Sequence, residues 1–524
     1  ERFGRAVAAA NRVAGRERIL PHGWDSASGP AGPAFDESAL REALAVVDAR
    51  LRRYGWTHFD VGEGWQDNRG NWFPDSTRFP EGLKPLVEDI HDSNMTAGLW
   101  TAPFIVDADS ALAQSNPDWV VSPNEAGRVR FGAGAKLLDV TAEGALDYVA
   151  SLGARFAAWG FDSLDIGQAD ALLYAERYTN PWSTRVAIAN DALAVFHDSF
   201  GRKKTLRAAA GSAATHVNVL AAGGRADSAP QWGSEALGRY RGAVESLTGA
   251  VRETHFSYPS RSVDGGTAFF GLPRTRARWN AANGEPLTDA NVLAWLTAEA
   301  MLGGAVRFGD YPPDLSNAQF DVLRRLLPAP DTPTRPVDLF ANSGPRIWSI
   351  PVESLIGNWQ VVGLFNWRDD NAAPLVLDFA QLGLDPAAAY TVFDFWSGRY
   401  FGTAQTQARV KVPGKGVRLL GLKPYRGRPM FLSIDSHFLQ GAAEFTSLQW
   451  DEAAGALRGE FRGIAQTPYE LTLLSPEPYE YEGVEVSAGP PETVAGERVV
   501  RIRFRCEASG PVRWTAQFIK PTRG

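Results

Sequence analysis

Two acidic residues stand where they could do chemistry. Asp165 falls in GFDSLDIGQAD (160–170), a short strand with Phe161, Leu164 and Ile166 as its apolar residues, just before the chain turns out through Gly167. Asp227 ends a second short strand in AAGGRADSAPQW (221–232), followed by Pro230 and Trp232. A pair of carboxylates can cleave a glycosidic bond: one attacks the anomeric carbon or activates water, and the other protonates the leaving oxygen. Such a pair works only if its surroundings keep one acid ionised and the other protonated.

Those acids need a frame that presents strand tips on one face. A helical segment at 142–158 runs into the Asp165 strand, and helix, strand, then acid at the strand's C-terminal end is the delivery pattern of a (β/α)₈ barrel. The same alternation repeats along the chain. A helix at 37–54 precedes THFDVGEGW, a helix at 82–93 precedes TAGLWTAPF, and a helix at 185–200 precedes KTLRAAAG. A helix at 289–302 with AVRFGD (305–310) supplies the last unit. The fold class expected is α/β, a (β/α)₈ barrel.

After Leu327 the texture changes. PAPDTPTRP is a proline-rich linker, and beyond it come short alternating strands with Gly, Asn and Asp turns: RIWSIPVES, WQVVGLFNW, YTVFDFWSG and GVRLLGL. These read as a C-terminal all-β sandwich. YELTLLS, RVVRIRFRC and VRWTAQFIK continue the β texture. The division expected is a barrel over 1–330 with a short N-terminal lead-in, a β-sandwich over 335–433, and a small additional β module over 434–524.

Composition removes several classes. At 524 residues the chain is too long for one hydrophobic core. A net charge of −7 and the lack of a basic stripe argue against nucleic-acid binding. No apolar run reaches transmembrane length, so no membrane partner is expected. The single cysteine, Cys506, excludes an intramolecular disulfide and a Cys-based metal site. With the seven histidines scattered, neither metal nor cofactor is expected. The chain starts at Glu1 with no apolar leader segment. That start favours a periplasmic or secreted protein with its leader removed over a cytoplasmic one, although trimming would give the same start. A homo-oligomer is compatible with the sequence.

GWDS, then YGWTHFDVGEGWQ, then NWFPDSTRFPEGLKPLVEDIHDSNMTAGLWTAPF resembles the α-galactosidase clan, glycoside hydrolase families 27, 31 and 36. LLDVTAEGALDYVASLGARFAAWGFDSLDI is similar to the clan's approach to its nucleophile strand, and LTDANVLAWLTAEAMLGGAVRFGD to its final barrel unit. The resemblance implies a retaining, exo-acting α-glycosidase on oligosaccharides or glycosides. Asp165 would be the nucleophile and Asp227 the acid/base, about 5–5.5 Å apart.

Two positions depart from that pattern. Gly62-Glu63 stands where α-galactosidases carry Asp-Asp, and Ser163 stands where they carry a lysine. Something else must then hold the sugar, and Asp60, Glu63, Ser163, Arg207 and Arg225 are candidates near strand ends; Trp24, Trp65, Trp100 and Trp232 can each be core or platform, with one or two expected to line the pocket. Asp227 could instead pair with Arg225 and leave its role to Asp264. An α-glucosidase, a β-L-arabinopyranosidase and a transglycosidase share the motifs. A sugar-binding protein that has lost catalysis is the alternative from another class. An aldolase needs a Schiff-base lysine at a strand end, and none is present.

Overall fold

The computed structural model describes residues 21–26, 35–131, 134–208, 219–221, 262–264, 267–268, 288–330, 334–339, 341, 344–367 and 371–521. They fall into two compact units, 1–292 with 302–320, and 293–301 with 321–524.

The first unit is built on one parallel sheet. Its strands are β1 (Gly23–Asp25), β2 (His58–Val61), β3 (Thr96–Thr101), β4 (Ser163–Ile166), β5 (Thr205–Ala208), β6 (Val219–Ala221), β7 (Ser262–Asp264) and β8 (Arg307–Phe308). Hydrogen bonding joins β7, β6, β5, β4, β3, β2, β1 and β8 in that order, and Thr267–Ala268 pairs with the far side of β8. Thr267 lies three residues beyond the end of β7, a reach of about 11 Å at most. The row therefore returns on itself through one short piece of chain. This is the strand row of a (β/α)₈ core. All four residues of β2, and all four of β4, are buried, as expected of strands covered on both faces.

The helices follow from local chemistry. Asp36 caps α1 (Glu37–Arg50) by accepting from the Ala39 amide at 2.9 Å, and Leu40, Ala43, Leu44 and Val47 form its buried stripe. α2 is Lys84–Asp92 and α3 is Ala145–Ala158. α3 starts three residues later than the helical pattern suggests. Asp139 accepts from the Thr141 and Thr179 amides at 2.9 and 2.7 Å, which holds the preceding residues in a turn. α4 is Arg185–Phe200 and α5 is Asp289–Met301. Between β3 and α3, a small antiparallel sheet of Ile105–Asp107, Ala135–Leu138 and Val120–Val121 rides outside the barrel row.

The second unit is antiparallel. A six-stranded sheet and a two-stranded antiparallel sheet of Ala373–Asp378 with Gln407–Val412 enclose Val362, Leu364, Leu377, Val410 and Leu420. Two further four-stranded sheets enclose Phe461, Tyr469, Ile502 and Trp514. Together these are C-terminal β-sandwich architecture. Lys423 is buried here. Its Nζ lies 4.2 Å from the ring centres of both Trp359 and Phe431 and donates to the Gln440 carbonyl at 3.1 Å.

Candidate active site

Strand register stacks the barrel's polar residues in levels. Gly23, His58, Thr96 and Arg307 stand side by side on β1, β2, β3 and β8. One level towards the C-terminal ends stand Asp25, Asp60, Gly98, Ser163 and Thr205. Above them Trp100, Asp165 and Arg207 are in register. Asp165 is thus at the working end of β4.

One guanidinium ties the levels together. Arg307, 1% exposed, pairs with Asp60 and stands 3.4 Å from both Asp25 and Asp165. Arg207 pairs with the same Asp165 oxygen, Oδ2. The other oxygen, Oδ1, is buried and accepts no hydrogen bond among the described residues. Asp60 Oδ1 faces His58 Nε2 at 3.1 Å, and that nitrogen is 3.2 Å from Ser163 Oγ. Gly98 makes the approach possible: a Cβ there would fall 1.8 Å from Asp60 Oδ1 and 2.7 Å from His58 Nε2.

Asp60 and Asp165 are driven in opposite directions. Burial pushes both carboxyls up. At Asp60, Arg307, His58 and Arg207 overcome it and hold the group well below the usual carboxylate range. At Asp165 burial prevails over Arg207 and Arg307, with Asp25 and Asp60 repelling in the same sense, and the group is raised.

The tryptophans are packed close to this centre. Trp24 and Trp65 are buried, and their indole N–H groups donate to the Asp310 and Trp100 carbonyls, each at 2.8 Å. Trp100 is 4% exposed, and Gly167 leaves room for its ring, since a Cβ there would meet it at 2.6 Å. Glu63 is exposed just beyond the tip of β2. Asp227, Arg225 and Trp232 lie outside the described residues, as does the side chain of Asp264. Asp162, on the other face of β4's approach, accepts from the Ala97 amide at 2.9 Å and pairs with His91 at 2.8 Å. Sequence reasoning missed Asp25, His58 and Arg307. An arginine inside a two-residue strand, and an HFD pattern with polar residues two apart on a buried strand, were the available signals. Among the described residues no group of three or more His, Cys, Asp or Glu could hold a metal ion.

Residues 34–156 match the Melibiase family model, and residues 342–422 match the model of the α-galactosidase C-terminal β-sandwich domain. Two separate stretches of the chain are thus similar to the two domains of α-galactosidases. Among relatives of the clan, α-galactosidase 2 of Pediococcus pentosaceus is 41% identical over 68 residues, 12% of this chain and 10% of that protein. Probable α-galactosidase G of Emericella nidulans is 42% identical over 96 residues, 17% and 12% of the two chains. The matched stretches thus span only about a tenth of those relatives' length. A β-L-arabinopyranosidase from Geobacillus stearothermophilus, solved in complex with arabinose, superposes with a TM-score of 0.59 at 16% identity, covering 79% of this chain and 99% of that one. α-Galactosidase I from Mortierella vinacea gives 0.54 at 17%, covering 78% and 98%. At these identities the likeness shows the fold alone.

Proposed function

We propose that this protein is a retaining, exo-acting α-glycoside hydrolase with Asp165 as its nucleophile. The observation that carries the reading is the asymmetry of the Asp165 carboxylate: Arg207 and Arg307 hold Oδ2, while Oδ1 is left unengaged among the described residues. A nucleophile needs that division, one oxygen fixed and one lone pair free. Oδ1 attacks the anomeric carbon as Asp227, assigned from sequence alone, protonates the leaving oxygen. Asp227 then takes a proton from the water that opens the glycosyl ester.

The resemblance favours an α-D-galactoside. A β-L-arabinopyranoside has the same ring stereochemistry without the hydroxymethyl group. Gly62-Glu63 in place of the acidic pair, and the arabinopyranosidase among the structural neighbours, support it as the second substrate.

A panel of 4-nitrophenyl glycosides covering both sugars, run beside Asp165→Asn, tests the reading. Turnover of one sugar, falling by about a thousandfold or more in the variant, is expected. Turnover that survives the substitution moves the nucleophile elsewhere. Silence on every glycoside with sugar-induced thermal shifts favours the sugar-binding alternative.

A further inference from the structure

We propose that the second unit carries a ligand site of its own, a pocket that binds a neutral oligosaccharide. The pocket, of about 690 Å³, opens where the tip of the hairpin Ile347–Ser354 and Gly357–Phe365 meets the segment 442–446 and Arg462. That size admits a ligand of about two or three sugar rings. Both walls are fixed. Ser354 Oγ donates to the Gly357 carbonyl at 3.0 Å across the hairpin tip, and Ile356 packs on the core of the two four-stranded sheets. On the other wall the Arg462 amide donates to the Glu444 carbonyl at 3.0 Å. The hairpin lies within the stretch that matches the β-sandwich model, 342–422, and the opposite wall lies outside it.

The lining sets the class of ligand. Glu353, Asn358 and Arg462 are exposed, and their side chains make no hydrogen bond or ion pair among the described residues. Elsewhere on the same sheets arginines are matched: Arg458 with Asp451, Arg503 with Glu470 and Arg513 with Glu460, at 2.9, 2.7 and 2.6 Å. Glu444 is held by one oxygen. Ser436 donates to Oε1, while Oε2 is buried and accepts no hydrogen bond among the described residues. Two carboxyl groups disfavour an anion, and the guanidinium disfavours a cation. An apolar ligand would strip these groups of water and return no hydrogen bond. A free amino acid would answer the charges but fill only a small part of the volume. The remaining fit is a neutral ligand whose polar groups both donate and accept, and a hydroxyl is such a group. It can donate to Glu353 or Glu444, accept from Arg462, and do either with Asn358. Leu355, 81% exposed at the hairpin tip, offers apolar surface to the C–H face of a sugar ring.

The site is independent of the barrel's chemistry, and its test keeps the two apart. Saturation-transfer NMR of the full chain bearing Asp165→Asn, with raffinose, maltotriose, cellotriose and mannotriose as millimolar probes, reads binding without turnover. At least one trisaccharide is expected to bind, and adding Arg462→Ala or Asn358→Ala should weaken that binding by about tenfold or more. Ala443→Trp, at the exposed rim, fills the pocket without removing a polar group and should do the same. In an otherwise wild-type chain Ala443→Trp should leave kcat/KM on an aryl glycoside unchanged. Trisaccharide binding indifferent to all three substitutions overturns the site, as does silence with every probe. Glutamine bound in an Arg462-dependent way, with no trisaccharide bound, overturns the ligand class. Arg462-dependent trisaccharide binding, in a protein whose wild type turns over no aryl glycoside, supports the site and fails the glycosidase reading alone.

Discussion

His58 and Ser163 meet across an intervening strand. Nε2 and Oγ are 3.2 Å apart although β3 runs between β2 and β4, and they meet because β3 presents Gly98 at that level. The glycine is a window through which one strand's imidazole serves its second neighbour.

Closing that window has a defined cost. Gly98→Ala places a methyl group 1.8 Å from Asp60 Oδ1, and the carboxylate is pinned by Arg307 and cannot swing aside freely. The variant should lose about 1–3 kcal/mol of stability, as overpacked cores do, and most of its turnover. Urea midpoints and kcat/KM on the best aryl glycoside check both.

Asp60 should make the first unit sensitive to acid. Its folded-state pKa is held below the unfolded value of 3.8. The stability it contributes is therefore fully present above that value and is lost as pH falls through the lower folded one. Asp60→Asn should cost about 3–5 kcal/mol at pH 7, since it leaves Arg307 with one carboxylate fewer in a buried site. The gap between wild type and variant should narrow below about pH 4. Denaturant unfolding at pH 7 and pH 3 measures it.

If Asp165 forms a covalent glycosyl ester, removing its side chain leaves room for a small anion. Asp165→Ala should be almost inactive alone, and added azide should restore turnover of an activated aryl glycoside, giving a glycosyl azide of inverted anomeric configuration. Product analysis by NMR reads the stereochemistry. A rescue product with retained configuration would contradict the nucleophile assignment.

Lys423 gives the second unit a pH dependence of the same sign, at higher pH and through a neutral rather than an ionised group. Burial lowers its pKa well below 10.5, with Glu444 pulling only weakly the other way. A base depressed in the folded state loses stability as pH falls from the unfolded pKa, because the unfolded chain takes up a proton that the folded one refuses. Lys423→Met should stabilise the protein at pH 7, by about 1–4 kcal/mol where the aromatic pair of Trp359 and Phe431 closes on the thioether. The advantage should shrink towards pH 10. Calorimetry across that range decides.

The barrel was legible because its signal is local and repeated. The apolar runs of β2, β3 and β4, and the stripe on α1, need only neighbours in sequence to be recognised. Asp165 was legible for the same reason, being the acid at the end of a short apolar strand. Arg307 was not, because its partners come from β1, β2 and β4, and Asp60 is 247 residues away. Whether an arginine in AVRFGD turns inward depends on β8 pairing with β1, which no local pattern encodes. The tryptophans were ambiguous for a related reason: an indole beside a strand end can roof a pocket or fill a core. The hydrogen bonds from Trp24 and Trp65 to backbone carbonyls put both in the core.

The strand that bears Arg307 is the last of the barrel to leave the ribosome. Asp25, Asp60 and Asp165 are synthesised long before it, and until β8 arrives they face one another without its guanidinium. Burying such a set of like charges is costly. A half-made barrel therefore cannot dry out around its centre, and its early strands stay hydrated. Water is expelled only when the two ends of the chain's strand row meet. Formation of the chemical centre and completion of the fold are thereby the same late event, one that requires contacts far apart in sequence and should make folding slow.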